Sequence, residues 1–511
     1  MSAHRFAPLL AIARLPSTLF VTGSFGPAAL LTAVVLAAAP LRAQEPVDGA
    51  MIQRIRAEGI ERSRVLDTFN HLTNVIGPRL AGSPGYDAAA EWTRARLEQW
   101  GLANAHLESF EFGRGWSLEG LTLEMTAPRY FPLFGYPEAW TPSTDGALTG
   151  APVYVGDRSV EQLEAMKDRL RGAVVLPVQP QPAFITEDRE QPATAAGSVR
   201  IGAPRSVRTQ SAAPARELNR ILEEAGAGAI LEPNQGQHGT VFVLGNRNTE
   251  DDAIPTVVLA AEHYNMLVRI VEAGRPVELR VEVRSRYHTD RTTTDNVIAE
   301  IPGSDPRLRD QVVLIGAHLD SWHSSNGATD NADGVATAME AMRILSALDI
   351  RPRRTIRIAL WGAEEEGLIG SRAYAEQHLA GDQNQAARDR IAVYFNDDPG
   401  TGKTYGFYAE DNEAAKQIFD AWLAPLADLG AVRNVIDGIG STDHLSFTRL
   451  GIPGFTTIKD YVDYDVRTHH TNTDFYERVS GEDLKQSAVV LAVFAYHAAM
   501  RDDVIPRGET R

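Results

Sequence analysis

Apolar residues between about 290 and 500 fall into short unbroken runs separated by amphipathic stretches. Val312-Val-Leu-Ile315, Thr355-Ile-Arg-Ile-Ala-Leu-Trp361 and Ile391-Ala-Val-Tyr-Phe395 are strand-length and mostly apolar. Segments 333–348 and 370–380 carry helical spacing between them. Strands apolar on both faces must be covered on both faces, and their alternation with helices indicates an α/β fold with a mostly parallel central sheet.

Earlier regions have other rhythms. Glu91 to Trp100 has helical spacing and stops at Gly101. Residues 128–150 are rich in Pro, Gly and aromatic side chains and read as a linker. Between 150 and 275, Gly172-Ala-Val-Val-Leu reads as a strand, Leu218 to Ala225 as a glycine-capped helix, and Ala229-Ile-Leu as another strand. Residues 183–216 carry no apolar period and read as an exposed loop. The expected organisation is a leader at 1–43, one domain split between 44–140 and 281–501, an insert at 141–280, and a flexible tail at 502–511.

The leader reading rests on Arg5 and Arg14 ahead of the apolar run Ala28–Ala39, followed by Pro40-Leu-Arg-Ala43. That run is short for a membrane span and suits a signal-peptide core cleaved after Ala43, so export to the periplasm or medium is expected. An uncleaved anchor is the alternative. No other membrane contact is expected, because no other stretch is apolar for long enough.

The 511 residues allow two to four domains, and 43% hydrophobic content is ample for a core. The net charge of −17 argues against a nucleic-acid partner, which needs a basic surface. The absence of cysteine excludes disulfides, thiolate metal sites and a cysteine nucleophile.

Candidate chemistry lies where the apolar strands end. Val312 to Ala317 leads into His318, Thr355 to Trp361 into Glu364-Glu365-Glu366, and Ile391 to Asn396 into Asp397-Asp398. Asp330 opens the helical segment at 333–348, with Gly327 and Gly334 allowing tight turns, and His469-His470 follows later. Sites in open α/β sheets form outside the carboxyl ends of the strands, so these residues should converge. Imidazoles and carboxylates are zinc ligands, and five of them can hold two ions if one carboxylate bridges. Clustered acids repel unless a cation neutralises them. Asp320, two residues past His318, suits a carboxylate that accepts the other imidazole N–H and so fixes the tautomer.

His318-Leu-Asp320-Ser-Trp322, Gly327-Ala-x-Asp330, Ala363-Glu364-Glu365-x-Gly367, Asn396-x-Asp398 and His470-Thr-x-x-Asp474 stand in the order of one family. Over roughly 50–130 and 290–500 the chain resembles the dinuclear zinc exopeptidases of metallopeptidase family twenty-eight. That family includes bacterial aminopeptidases and the plasma glutamate carboxypeptidase branch, to which Asp398-Pro-Gly-Thr401 and His469-His470-Thr look most similar. The resemblance implies two zinc ions bridged by Asp330, one completed by His318 and Asp398, the other by Glu365 and His470. It implies Glu364 as general base, with Asp320 supporting the catalytic centre, and it places Gly440-Ser-Thr-Asp443-His444 at the substrate pocket. Asn-x-Asp spacing favours Asp398 over Asp397, and the following Thr471 favours His470 over His469. His323 has no family role. The segment at about 150–275 looks like a protease-associated domain, a β-rich insert.

The expected function is therefore an exported zinc exopeptidase acting on peptides, foremost an aminopeptidase. A dipeptidase or carboxypeptidase is the second reading. A catalytically dead binding module, like the transferrin receptor, is a third from another class. Carboxylate-rich sites also accept manganese or cobalt, and a homodimer stays open.

Overall fold

The computed structural model describes residues 45–192, 210–250, 252–398 and 400–508. The expected leader lies outside the described residues.

The three apolar runs form adjacent strands. Val312–His318 lies between Thr355–Trp361 and Ile391–Asn396, and all three run parallel. Gly454–Asp460 adds a fourth parallel strand beside Ile391–Asn396. Outside this block the pairing is antiparallel. Thr293–Ile301 and Ala103–Glu111 extend one edge, and Thr401–Phe407 closes the other, giving seven strands in all.

Alternation sorts the side chains onto two covered faces. Val313, Ile315 and Ala317 pack on one face with Val335, Met339 and Val493. Val312 and Leu314 pack on the other with Trp361, Tyr374 and Phe447. Helices Asp333–Ala347 and Gly481–Met500 therefore lie on the first face, and Ile369–His378 on the second. The last long helix is buried along almost its whole length and starts at a Ser480 cap that accepts from the Asp483 N–H. Each fully buried Val, Leu or Ile in these clusters contributes about 1.5–3 kcal/mol.

Residues 115–288 build two further sheets. Gly115–Ala127 and Glu278–His288 pair antiparallel at the centre of a four-stranded sheet. A five-stranded sheet has a parallel core formed by Val153–Tyr154, Val174–Leu176, Ala229–Pro233 and Thr256–Leu259. Helices Ala215–Ala225 and Ala261–Glu272 pack on it, so this accessory lobe mixes helix and strand.

Three expectations need correction. Residues 128–150 are not a plain linker: they supply the strands Phe131–Pro132, Gly135–Pro137 and Leu148–Gly150, cut short by Pro and Gly. Residues 183–192 lack regular structure but are not simply exposed, because Asp188, Arg189 and Gln191 bond to residues 461–466; residues 193–209 lie outside the described residues. Residues 502–508 are tied down, since Arg354 donates to the Asp502 carbonyl, Asn412 to that of Pro506, and Arg507 to that of Gly451. Among the described residues, no helix is long and apolar enough to cross a membrane.

Candidate metal centre

His318 ends its strand with its side chain buried. Its Nδ1 lies 3.1 Å from the Asp320 backbone carbonyl, which makes Nδ1 the protonated nitrogen and leaves Nε2 free. Nε2 points at Asp330 Oδ1, 3.2 Å away, and Asp398 Oδ1, 3.7 Å away. On the opposite side, His470 Nε2 lies 3.2 Å from Asp330 Oδ2 and 2.9 Å from Glu365 Oε2. The two oxygens of Asp330 thus face two different ligand sets, one of His318 and Asp398, the other of Glu365 and His470.

Each side chain is aimed by its element. Asp330 sits in the Ala328–Ala332 turn before the 333–347 helix, and Asp474 accepts from the backbone N–H groups of Thr329 and Asp330 at 2.8 and 3.2 Å. Gly334 allows this turn to close: a Cβ there would lie 2.3 Å from both Asn331 Oδ1 and the Asp397 carbonyl. Asp398 and Glu364-Glu365 follow their strands directly. Trp322 Nε1 donates to Glu365 Oε2 at 2.8 Å.

Asp320 takes a different role from the one expected. Its carboxylate Oδ1 is 3.7 Å from His318 Nδ1, too far for a hydrogen bond. It accepts instead from the Glu364 and Glu365 backbone N–H groups, each at 3.1 Å. The main-chain carbonyl orients the imidazole, and the side chain fixes the glutamate turn.

The neighbouring alternatives make different contacts, although His469 stays close enough to Asp330 and His470 to share an ion with them, their ligand atoms lying within 4.8 Å of one another. Asp397 turns away and pairs with buried Lys459 at 2.7 Å, while Asp398 faces His318. His469 Nε2 is 4.0 Å from Asp330 and its ring stacks on Tyr464, while His470 makes two close carboxylate contacts. Glu364 and Glu365 both line the cavity over the centre, but only Glu365 pairs with His470. His323 is buried elsewhere, bonded through Nε2 to the Pro137 carbonyl, and burial pushes its pKa down to about 4.

The donor set fits divalent cations. Asp330 Oδ2 and Glu365 Oε1 are buried without a hydrogen-bond donor, a costly arrangement for carboxylates that a cation relieves. Burial, with Asp398, Asp443 and Glu365 close by, raises the Glu364 carboxyl well above the usual range against the pull of His318. Burial disfavours charge on His470, but Glu365 and Asp330 outweigh it and push the imidazole up to about 10. The cavity measures about 740 Å³ and is also walled by Arg189, Arg372, Arg449 and Tyr464. Gly440 and Ser441 reach it, whereas Asp443 lies buried behind them.

Sequence reasoning assigned no task to three buried supports. Asp474 holds the Asp330 turn. Lys459 joins Asp397 and Asp333 at 2.7 and 3.0 Å. Arg79 donates to the carbonyls of Leu319, Asn326 and Gly327, tying the His318 and Asp330 loops together. Asp474 had a signal, its fixed spacing from His470. Lys459 and Arg79 had none, since an isolated basic residue reads as surface.

Residues 296–495 match the profile of peptidase family M28. Carboxypeptidase Q of Mus musculus is 26% identical over 452 residues, covering 88% of each chain. The crystal structure of a peptidase M28 precursor from Shewanella amazonensis is 25% identical with a TM-score of 0.65, covering 90% of this chain and 98% of the other. A zinc aminopeptidase from Bacillus subtilis shares the fold, with a TM-score of 0.56 at 19% identity over 86% of this chain and 95% of its own.

Proposed function

Taking as premise that the chain belongs to peptidase family M28 and is a metallopeptidase, we propose that it is an exported two-zinc exopeptidase, acting first as an aminopeptidase. The observation that carries this reading is Asp330, whose two oxygens each face a separate histidine–carboxylate pair. We assign Asp330 as the bridge, His318 and Asp398 to one ion, and Glu365 and His470 to the other. Zinc is favoured over other divalent ions by the imidazole–carboxylate donors and by the zinc named for the Bacillus subtilis neighbour.

Bound ions would supply Lewis acidity and lower the pKa of water. The chain's own residues do the rest. Glu364 takes the proton from the attacking water and delivers it to the leaving amine as the C–N bond breaks. Asp320 holds the Glu364-Glu365 turn, and Asp474 and Arg79 hold the Asp330 turn. The accessory lobe, read as a protease-associated-like insert, walls the cavity with Arg189. Export rests on the Arg-flanked apolar run near the N-terminus.

One observation favours the dipeptidase or carboxypeptidase reading. Arg372 and Arg449 line the cavity, and neither meets a carboxylate among the described residues. A free substrate carboxylate would find a partner there. The test compares aminoacyl-nitroanilides, N-blocked peptides and free dipeptides, with and without chelator. Chelator-sensitive cleavage of the nitroanilides supports the aminopeptidase. Cleavage of blocked peptides alone, weakened by C-terminal amidation, replaces it with the carboxypeptidase.

A further inference from the structure

The loop that carries His470 is gripped along both flanks by the accessory lobe. On one flank, Arg189 lays its guanidinium across Asp465, with Nε 2.8 Å from Oδ2, while its backbone N–H donates to the same oxygen at 2.8 Å. Both side chains are almost fully buried, and the guanidinium stacks over Tyr461 at 4.5 Å. Asp188 accepts from the backbone N–H groups of Asp463 and Val466 at 2.8 and 3.1 Å, and Gln191 accepts from that of Tyr461 at 2.6 Å.

On the other flank, residues 237–243 pair with the ligand loop as a strand would. Phe242 forms an antiparallel bridge with Thr471. The Val243 N–H donates to the His470 carbonyl at 3.1 Å, and the Asn472 N–H to the Val241 carbonyl at 3.1 Å. Asn472 Oδ1 accepts from the Val241 N–H at 2.7 Å. Arg467 donates to the Gln237 carbonyl and to Thr240 Oγ1. His470 needs this help, since its φ of +60° is a left-handed conformation that a free loop would leave.

We infer that the accessory lobe is a clamp on the ligand loop, and that retention of the ion held by Glu365 and His470 depends on Arg189–Asp465 and on the Val241–Asn472 pairing. These are positioning residues, acting through His470. The inference rests on the two-ion reading above. Positive φ at His470 lets its imidazole reach Glu365, and the lobe supplies the bonds that offset the strain. Loss of the clamp should free one ion and spare the other, because no lobe residue bonds His318 or Asp398 among the described residues.

The test is zinc competition against a graded chelator, on the full chain, with zinc alone as the probe. Asn472→Ala, which removes the Oδ1 bond from the Val241 N–H and the Nδ2 bond to the Gly239 carbonyl, should weaken one zinc equivalent by roughly three- to tenfold and leave the other unchanged. Asn472→Asp, which keeps the acceptor for the Val241 N–H but loses the donor to the Gly239 carbonyl, should restore part of that loss. The paired change Arg189→Met with Asp465→Asn, which leaves no charge buried alone, should weaken the same equivalent by about tenfold or more. Wild-type affinity for both ions in the paired variant overturns the clamp. His470→Ala separates the two levels: if it too leaves both ions at wild-type affinity, the ligand assignment fails and the clamp with it.

Discussion

Asp397 and Asp398 are adjacent, chemically identical and both buried, yet one turns to Lys459 and the other to His318. Their amides should therefore fail differently. Asp398→Asn should lower zinc affinity with little effect on the unfolding of the metal-free protein. Asp397→Asn should keep its zinc but cost about 1–3 kcal/mol by weakening a buried charged hydrogen bond, read by denaturant unfolding with chelator present. Identical behaviour of the two variants would contradict the assignment. Glu364→Gln should retain both ions and lose about 10²–10⁴-fold in kcat, because it keeps shape and removes the proton acceptor. Near-normal turnover in a zinc-replete sample would remove Glu364 from its role. Motif spacing pointed to Asp398, His470 and Glu365, and the structure places Asp398 beside His318 and the other two beside each other. The true task of Asp320 was not readable, because which of its oxygens meets the imidazole depends on the turn after the strand and not on spacing.

Strand ends bring the site together, and the joints between elements hold it. Lys459 on the last parallel strand spans Asp397, beyond the neighbouring strand, and Asp333, at the start of the 333–347 helix. Lys459→Met should destabilise by ~3–5 kcal/mol, since it leaves two carboxylates buried without their cation. Thermal unfolding of the metal-free protein reads this directly, and a change below 1 kcal/mol would contradict the joint. Apolar runs and helical spacing revealed the parallel block because each strand is covered on both faces. The antiparallel edges and the short strands of 131–150 were hidden. Two- and three-residue strands carry no period, and their pairing partners lie far along the chain, as Gly135–Pro137 with Thr256–Leu259 shows.

Across the whole molecule, bound ions and the fold would support each other. Against the opposing effect of burial, the ligand carboxylates raise the pKa of His318 above its ordinary value and that of His470 up to about 10. Ligation needs neutral imidazoles, so zinc binding near pH 7 should release protons, and affinity should fall as pH falls. Calorimetric titration in buffers of different ionisation enthalpy checks the sign; proton uptake would contradict it. Zinc at a thousandfold excess over its dissociation constant should add about 4 kcal/mol per site to stability, so chelation should lower the unfolding temperature. The most direct test counts zinc by elemental analysis after dialysis. The account predicts two equivalents per chain, one retained in His470→Ala, and neither held tightly in Asp330→Ala. A single equivalent in the unaltered protein, or two in Asp330→Ala, would contradict a centre bridged by Asp330.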